Sequence, residues 1–129
     1  MAQEEAKAAQ SPEPEPVRKE VSGPAYEVKF IAVGYENLVF VLHIPLEQTL
    51  TLGRNSKADL VLNPEDRRLS SVHCRVRCMQ GVMNVWDADS QNGTFVNGVP
   101  IKQIGMATLQ NGDLLRVGGY EYRVFISSK

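Results

Sequence analysis

The sequence predicts an all-β sandwich, and three observations lead to this fold class. Residues 26–126 break into roughly eleven short runs of β-branched, aromatic and other apolar residues, each bounded by turn-forming residues. No segment keeps the 3.6-residue apolar period of an amphipathic helix. No repeat of fixed length recurs, which disfavours propellers and solenoids. Short strands separated by frequent turns are typical of two packed sheets.

Five strands are predicted in the first half of this region, at residues 26–33, 38–44, 49–52, 60–62 and 73–79. Most of their residues are β-branched, aromatic or otherwise apolar, and such residues favour a pleated, half-buried surface. Gly34 supplies a turn after the first strand, and Pro45 follows the second. The stretch that ends at Asp59 separates the third strand from the fourth.

Six more strands are predicted in the second half, at residues 84–88, 94–96, 99–101, 107–109, 114–117 and 120–126. The dipeptides Gln80-Gly81, Asn97-Gly98 and Gly118-Gly119 lie between neighbouring strands. Asn-Gly and Gly-Gly are favoured in two-residue hairpin loops because both positions must adopt positive φ. These turns therefore predict hairpins in the second half of the chain.

Residues 1–24 are predicted to form a disordered tail that precedes a single domain at residues 25–129. Within the tail, residues 11–16 read Ser-Pro-Glu-Pro-Glu-Pro, in which each proline removes one backbone donor and the glutamates repel each other. Gly23-Pro24 marks the predicted boundary, because this dipeptide interrupts regular structure.

Composition limits the classes of partner. The chain has 129 residues and a net charge of −1, and nucleic-acid-binding proteins usually carry a clear basic excess. It contains no apolar run close to the roughly 18 residues of a membrane span, and no apolar leader at its N-terminus. We therefore expect no nucleic-acid or membrane partner, and a cytoplasmic location for this chain or for a longer protein that contains it.

Two cysteines, Cys74 and Cys78, fall on one predicted strand and are expected to be free thiols. Four residues of strand separate them by roughly 13 Å, whereas a disulfide needs Cα atoms within about 7 Å. His73 directly precedes Cys74, which leaves a metal site as an alternative. No second His or Cys pair supplies the missing ligands, so we expect no metal and no other cofactor.

Four polar segments lie at predicted loops or strand ends. They are Gly53-Arg54, the Ser70-Ser71 pair before His73, Ser90-Gln91-Asn92, and Asn97-Gly98. An arginine fork and adjacent hydroxyls are suited to an oxyanion, and asparagine amides in tight turns are free to hold a ligand. Each segment alone has an ordinary explanation as a surface charge, a loop cap or a hairpin turn.

An enzyme is the alternative from a different class. Ser70 or Ser71 with His73 superficially resembles a nucleophile–base pair, which Asp87 or Asp89 could orient. Residues three apart on a strand point to opposite faces, and no Gly-x-Ser-x-Gly elbow occurs in the chain. No catalytic residue is therefore assigned.

In order and spacing, these segments resemble the signature of the forkhead-associated (FHA) family. The matching elements are Gly53-Arg54, Ser70-Ser71-Val72-His73, residues 90–98, Leu109-Gln110-Asn111-Gly112-Asp113 and Val117-Gly118. The resemblance covers about residues 26–126. It implies an eleven-stranded sandwich of the FHA/SMAD-like type, with ligand loops at one end that bind phosphothreonine peptides.

The resemblance also implies residue roles. The residues matched to phosphopeptide-binding positions are Arg54, Ser70, Ser71, Gln91 and Asn92, and those matched to loop-supporting positions are Gly53, His73, Gly93, Asn97 and Gly98. In this family the position of Ser71 often carries Arg, Lys or Asn, and that of Gln91 often carries Thr or Ser. The serine can bond phosphate without adding charge, and the longer amide can still donate.

Arg68 lies two residues before Ser70, so the two side chains share one side if the segment is extended. We expect Arg68 to reach an acidic residue C-terminal to the phosphothreonine, whereas a surface ion pair with Glu65 or Asp66 is the alternative. The expected partner is a Thr-phosphorylated protein or peptide. A Ser/Thr kinase or its substrate is the expected kind of protein. The alternative function is an FHA-fold scaffold or self-association domain with no phosphate dependence.

Overall fold

The computed structural model describes residues 25–128 and consists of eleven strands in two packed sheets, which confirms the predicted all-β sandwich. The strands are β1 (Ala25–Ala32), β2 (Val39–Pro45), β3 (Thr49–Gly53), β4 (Leu60–Val61), β5 (Cys74–Met79), β6 (Val82–Asp87), β7 (Thr94–Val96), β8 (Val99–Pro100), β9 (Ala107–Leu109), β10 (Leu114–Val117) and β11 (Tyr120–Ser128). The predicted tail at residues 1–24 lies outside the described residues.

The two sheets differ in strand order. Six strands form one sheet in the order β2-β1-β11-β10-β7-β8, and five form the other in the order β4-β3-β5-β6-β9. All pairs are antiparallel except β3 with β4, which run parallel. The first described strand pairs with the last over seven positions, so these two strands are joined in the middle of one sheet.

The core lies between the inner faces of the sheets, as the alternation of side chains along each strand requires. Phe30, Leu52, Met83 and Leu115 are fully or almost fully buried there. Phe30 also contacts Tyr122 edge-on, with ring centroids 6.5 Å apart. Burial of each such side chain contributes roughly 1.5–3 kcal/mol, so this shared core stabilises both sheets.

Tight turns set the strand boundaries. Asn97 and Gly98 have φ values of 50° and 83° and close the β7–β8 hairpin, in which Val96 pairs with Val99. Gln80 and Gly81 have φ values of 55° and 83°, and they join β5 to β6 in the same way. Strand β6 therefore begins at residue 82, directly after this turn, and the predicted start at residue 84 is wrong by two residues.

Cys74 and Cys78 are both buried and both free. Burial raises the pKa of Cys78 to about 11, and burial also raises the pKa of Cys74. Both thiols are therefore protonated at neutral pH and pack as small apolar side chains. Within residues 25–128 there is no helix of the length and apolar character that would cross a membrane.

Three loops meet at one end of the sandwich. The end of β3 bonds to the β4–β5 loop through Arg54 N–H, which donates to the Ser70 carbonyl at 3.0 Å. The β6–β7 loop reaches the same point, because Gln91 N–H donates to Ser70 Oγ at 3.0 Å. The β10–β11 turn joins them, because Gly119 N–H donates to the Asp66 carboxylate at 2.8 Å.

Candidate functional site

The loops at this end enclose an open groove of about 600 Å³. Four of its lining residues carry positive charge, namely Arg54, Arg67, Arg68 and Lys102. Asp89 is the one acidic residue that lines it. Three positive charges therefore remain after this carboxylate is counted, although the whole chain is slightly acidic. Such a concentration of one sign in a concave surface attracts anions.

Arg54 reaches the groove from the end of β3. Its side-chain Nε donates to the Leu69 carbonyl at 3.0 Å, which holds the guanidinium against the β4–β5 loop. Its two terminal nitrogens make no hydrogen bond to any of residues 25–128, and the side chain is exposed. A fixed fork with its end unengaged is suited to a bidentate contact with an oxyanion.

Ser70 and His73 form a connected pair behind the groove. Ser70 N–H donates to His73 Nδ1 at 3.0 Å, and the other ring nitrogen, Nε2, lies 2.8 Å from the Gly93 carbonyl. Because Nδ1 must accept and Nε2 must donate, the imidazole is neutral with its proton on Nε2. The ring is fully buried, so it joins two loops and touches no solvent.

The Ser70 hydroxyl oxygen accepts the Gln91 N–H, which leaves its own proton as a donor toward the groove. Ser71 is exposed beside it, and its carbonyl accepts the N–H of Asn55 at 3.0 Å. The Gln91 side chain is also exposed and lines the groove. The groove thus offers two hydroxyls and a carboxamide in addition to its cations.

Asn92 has a contact that the sequence did not predict. Its side-chain Nδ2 donates to the Arg68 carbonyl at 2.9 Å, so it ties the β6–β7 loop to the β4–β5 loop. The side-chain oxygen Oδ1 and the second amide proton of Asn92 make no hydrogen bond to the described residues, and the side chain is exposed. Gly93, which follows it, has a φ of 89°, a conformation that favours glycine.

Asn97 lies in the other Asn-Gly turn, and the two turns are not equivalent. Its Oδ1 accepts the Leu114 N–H at 2.9 Å, and its own N–H donates to the Leu114 carbonyl at 2.8 Å. Asn97 and Gly98 do not line the groove. These bonds attach the β7–β8 hairpin to β10.

Asp87 is a structural residue, which the sequence suggested only as a partner for a catalytic histidine. Its carboxylate accepts bonds from the Ser90 hydroxyl, the Ser90 N–H at 2.9 Å and the Thr94 hydroxyl at 2.6 Å. Desolvation raises the pKa of Asp87, but these hydrogen bonds offset it, so the pKa lies below its usual value. In the sequence, the signal for this role is the pair of hydroxyl residues, Ser90 and Thr94, that follow Asp87. Both are buried in the structure, where a buried hydroxyl needs a hydrogen-bond partner.

Lys102 is a groove residue that the sequence did not predict. Its Nζ donates to the Ser90 carbonyl and lies 3.9 Å from Asp89 Oδ1. It follows β8, whereas the other cations of the groove come from the segments between β3 and β5. Short-range spacing carries no information about such a contact.

The arrangement does not support a serine nucleophile. His73 accepts from the backbone N–H of Ser70 and not from a hydroxyl, and the buried ring cannot reach a substrate. Among residues 25–128, no group of three or more His, Cys, Asp or Glu could hold a metal ion. The cations and exposed hydroxyls that line the groove are suited to electrostatic and hydrogen-bonding contact with an anion.

Burial of His73 predicts a pH-dependent stability. Desolvation lowers the pKa of His73, although the Gly93 carbonyl and Asp87 act in the opposite direction. Below the unfolded-state pKa of about 6.5 the unfolded chain binds a proton that the folded chain excludes, so stability falls as pH decreases. The free energy of unfolding, measured by urea denaturation, should therefore decrease between about pH 7 and about pH 5.

His73→Gln is the matched variant, since glutamine has no titratable proton in this range. It should be less stable than wild type at neutral pH, and the difference should shrink as the pH falls below about 6.5. A difference that stays constant down to about pH 5 would mean that His73 does not titrate on unfolding as proposed.

Comparison with known proteins gives a family model and a relative. The model described as FHA domain matches residues 50–118, just over half of the chain. The chain is 36% identical over 76 residues to the glycogen accumulation regulator GarA of Mycobacterium tuberculosis strain H37Rv. That alignment covers 58% of this chain and 44% of the relative, so the chain spans less than half of the length of GarA.

Two solved structures have a similar fold. An FHA domain solved in work on phosphothreonine-dependent FHA domain interactions superposes with a TM-score of 0.62 at 27% identity, over 77% of this chain and 95% of that one. The MEK1 FHA domain in complex with a HOP1 phosphothreonine peptide superposes with a TM-score of 0.59 at 25% identity, over 83% of this chain and 99% of that one.

Proposed function

The chain belongs to the FHA domain family, and from this premise we propose that it is a non-catalytic module that binds proteins phosphorylated on threonine. The observation that carries the proposal is the convergence of Arg54, Ser70 and Lys102 on one groove. The likeness to a domain solved with a phosphothreonine peptide supports it.

The chemistry of the groove fits a phosphate group. A phosphothreonine carries −1.5 to −2 charges at neutral pH and presents three strong acceptor oxygens. We assign the terminal nitrogens of Arg54 and the hydroxyl of Ser70 to these oxygens, with Ser71 as a further donor. Each charged hydrogen bond contributes roughly 1.5–3 kcal/mol. Lys102 supplies the positive charge that the uncharged Ser71 lacks.

We assign contacts with the rest of the peptide to three side chains. The exposed carboxamide of Asn92 is proposed to hold the peptide backbone, which orients the ligand without reading its sequence. Gln91 is proposed to lie beside the threonine methyl group. Arg68 is proposed to contact an acidic residue C-terminal to the phosphothreonine, because it lines the groove and is exposed.

The experiment is a calorimetric titration of three peptides of identical sequence, which carry phosphothreonine, phosphoserine or threonine. We expect a dissociation constant in the micromolar range for the first, equivalent to about −8 kcal/mol. We expect weaker binding of the second and none of the third. Equal affinity for phosphorylated and unphosphorylated peptides would contradict the proposal. A phosphopeptide library screened with Arg68→Ala reports whether an acidic preference depends on Arg68.

The partner is proposed to be a Thr-phosphorylated protein, either a Ser/Thr kinase or one of its substrates, in the cytoplasm. The relative GarA is named as a regulator of glycogen accumulation, which is consistent with regulation through a partner protein. For this chain, regulation of a partner is part of the proposal.

Self-association without phosphate dependence is the second candidate, and one surface favours it. Strand β2 forms an edge of the six-stranded sheet, and Val39, Val41 and Phe125 are each 40–41% exposed on the outer face of that sheet. Apolar residues on an unprotected edge strand favour pairing with another chain. Sedimentation equilibrium distinguishes the candidates, because self-association requires a mass that increases with protein concentration.

A further inference from the structure

We propose that the acidic, proline-rich segment at residues 11–16 docks on the outer face of the five-stranded sheet of its own chain. This segment reads Ser-Pro-Glu-Pro-Glu-Pro. The surface that receives it, called here the arginine face, consists of Arg75, Arg77 and Trp86. None of these three residues lines the phosphate groove, so the inference is independent of the proposed function.

Strand register places the three residues of the arginine face together. Val76 is fully buried between Arg75 and Arg77 on β5, so both arginines lie on the side of the sheet that faces away from the core. Trp86 on β6 is paired directly with Arg75, and paired residues of an antiparallel ladder share a face. The sheet therefore presents two cations beside a large aromatic ring.

The two arginines of this face have unused hydrogen-bonding capacity within the described part of the chain. Arg77 Nε is buried and has no hydrogen-bond partner among residues 25–128, which is an unfavourable state for a donor. Arg75 is exposed. The ion pair that the structure records within these residues joins Lys102 to Asp89 and leaves both arginines out. Carboxylates that approach this face would satisfy both side chains.

The spacing of the acidic residues in the segment matches the spacing of the arginines. Glu13 and Glu15 each precede a proline, which favours an extended backbone at both positions. Two residues of extended chain span roughly 6–7 Å, the same distance that separates Arg75 from Arg77 along β5. The intervening prolines have no N–H to desolvate, and proline-rich segments pack well on aromatic rings such as that of Trp86.

The segment is attached close to the arginine face. The Tyr26 hydroxyl accepts the Gly81 N–H at 2.9 Å, so the start of β1 lies beside the β5–β6 turn. Arg77 is two residues from the end of β5 at that turn. The eight residues 17–24 connect the segment to β1 and can span up to about 26–29 Å. The arginine face is therefore within easy reach.

The phosphate groove is the other cationic surface, and it lies at the opposite end of the sandwich. Tyr35, in the turn after β1, contacts Tyr120 with ring centroids 5.4 Å apart, which places the far end of β1 beside the ligand loops. The eight residues of β1 separate this end from the start of the strand by roughly 23 Å. The connection would have to be almost fully stretched to reach the groove, so position favours the arginine face.

Attachment to the same chain makes even a weak contact significant. A short connection holds a tethered segment at an effective concentration in the millimolar range. A contact with a dissociation constant in that range is then occupied in about half of the molecules. Docking of this kind would cover the arginine face without closing the groove.

Fluorescence quenching by acrylamide in the full chain tests the docking, because Trp86 is the only tryptophan. Glu13→Gln combined with Glu15→Gln removes both carboxylates and keeps the prolines. We expect the quenching constant of Trp86 to increase about twofold in this variant, since about half of the wild-type molecules shield the ring. High salt should raise the constant of wild type in the same way and leave the variant unchanged, because salt screens exposed ion pairs.

Glu4→Gln combined with Glu5→Gln is the matched control, because it changes the net charge equally outside the segment. It should be quenched like wild type. Arg75→Glu combined with Arg77→Glu should release the segment, and the further changes Glu13→Arg and Glu15→Arg should restore the shielding. Thermal unfolding reports whether each variant is folded.

Four results would overturn the proposal. The first is equal quenching of wild type and the Glu13/Glu15 variant, and the second is an equal increase in the Glu4/Glu5 control. The third is tighter binding of a phosphothreonine peptide by the Glu13/Glu15 variant, which would place the segment in the groove. The fourth is shielding that is lost on dilution, which would mean that a second copy of the chain supplies the segment.

Discussion

Replacement of Arg54 by alanine should remove most of the affinity for a phosphothreonine peptide while the sandwich stays folded. The variant loses the guanidinium that we assign to the phosphate, and it weakens the β4–β5 loop by removing the bond to the Leu69 carbonyl. A lost charged hydrogen bond of roughly 1.5–3 kcal/mol corresponds to a decrease in affinity of about 10- to 150-fold. Calorimetric titration measures this decrease, and thermal unfolding reports the fold.

Arg75→Ala is the matched control, because Arg75 is exposed on β5 and does not line the groove. It should bind like wild type. Arg54→Lys should bind between the two, since it keeps the charge and loses the planar fork. Unchanged affinity in a folded Arg54→Ala protein would show that the phosphate lies elsewhere.

Gly53→Ala should strongly destabilise the sandwich, although it adds a single methyl group. A Cβ at Gly53 would lie 2.1 Å from the Ser71 carbonyl oxygen and 2.9 Å from the Val72 Cα, and both are backbone atoms that cannot rotate away. That carbonyl also accepts the Asn55 N–H, so its displacement disrupts the contact between the segment that follows β3 and the segment that precedes β5. We expect a loss of roughly 3 kcal/mol or more in the free energy of unfolding.

Gly34→Ala separates steric overlap from backbone strain. Gly34 has a φ of 84°, and apart from its own and its two neighbouring residues no heavy atom lies within 4 Å of the position that a Cβ would take, so alanine there adds strain without a clash. We expect a cost of about 1–2 kcal/mol, measured by urea denaturation alongside Gly53→Ala. If both glycine variants lose the same amount, the close approach at Gly53 is relieved by a backbone shift.

The fold was largely predictable because its signals are local. The dipeptides at Asn97-Gly98 and Gly118-Gly119 specify hairpins through the φ values that their residues tolerate, and Val117 does pair with Tyr120 across the second. The predicted start of β6 at Asn84 is wrong because the turn at Gly81 already places residue 82 on the strand. Pairing across a turn determines a strand start more strongly than the composition of the strand.

The groove was predictable only in part, because several of its contacts join distant segments. Arg54 and Ser70 could be proposed from their order and spacing along the chain. Lys102 could not, because its approach to Ser90 depends on where the β8–β9 connection passes the loops. The bond from Asn92 to the Arg68 carbonyl likewise depends on how the β6–β7 loop packs against the β4–β5 loop, which lies far from it in the sequence.

The neutral ring of His73 and the carboxylate of Asp87 lie behind the groove, whereas Ser71 and Gln91 are exposed at its surface. The side chains that hold the loops by hydrogen bonds are therefore separate from the exposed side chains that can contact a ligand. Under the proposed function, we expect substitution at Ser71 or Gln91 to change the peptide preference at little cost to folding. On this proposal, we infer that selection can change the partners of such a fold through its surface residues, one residue at a time.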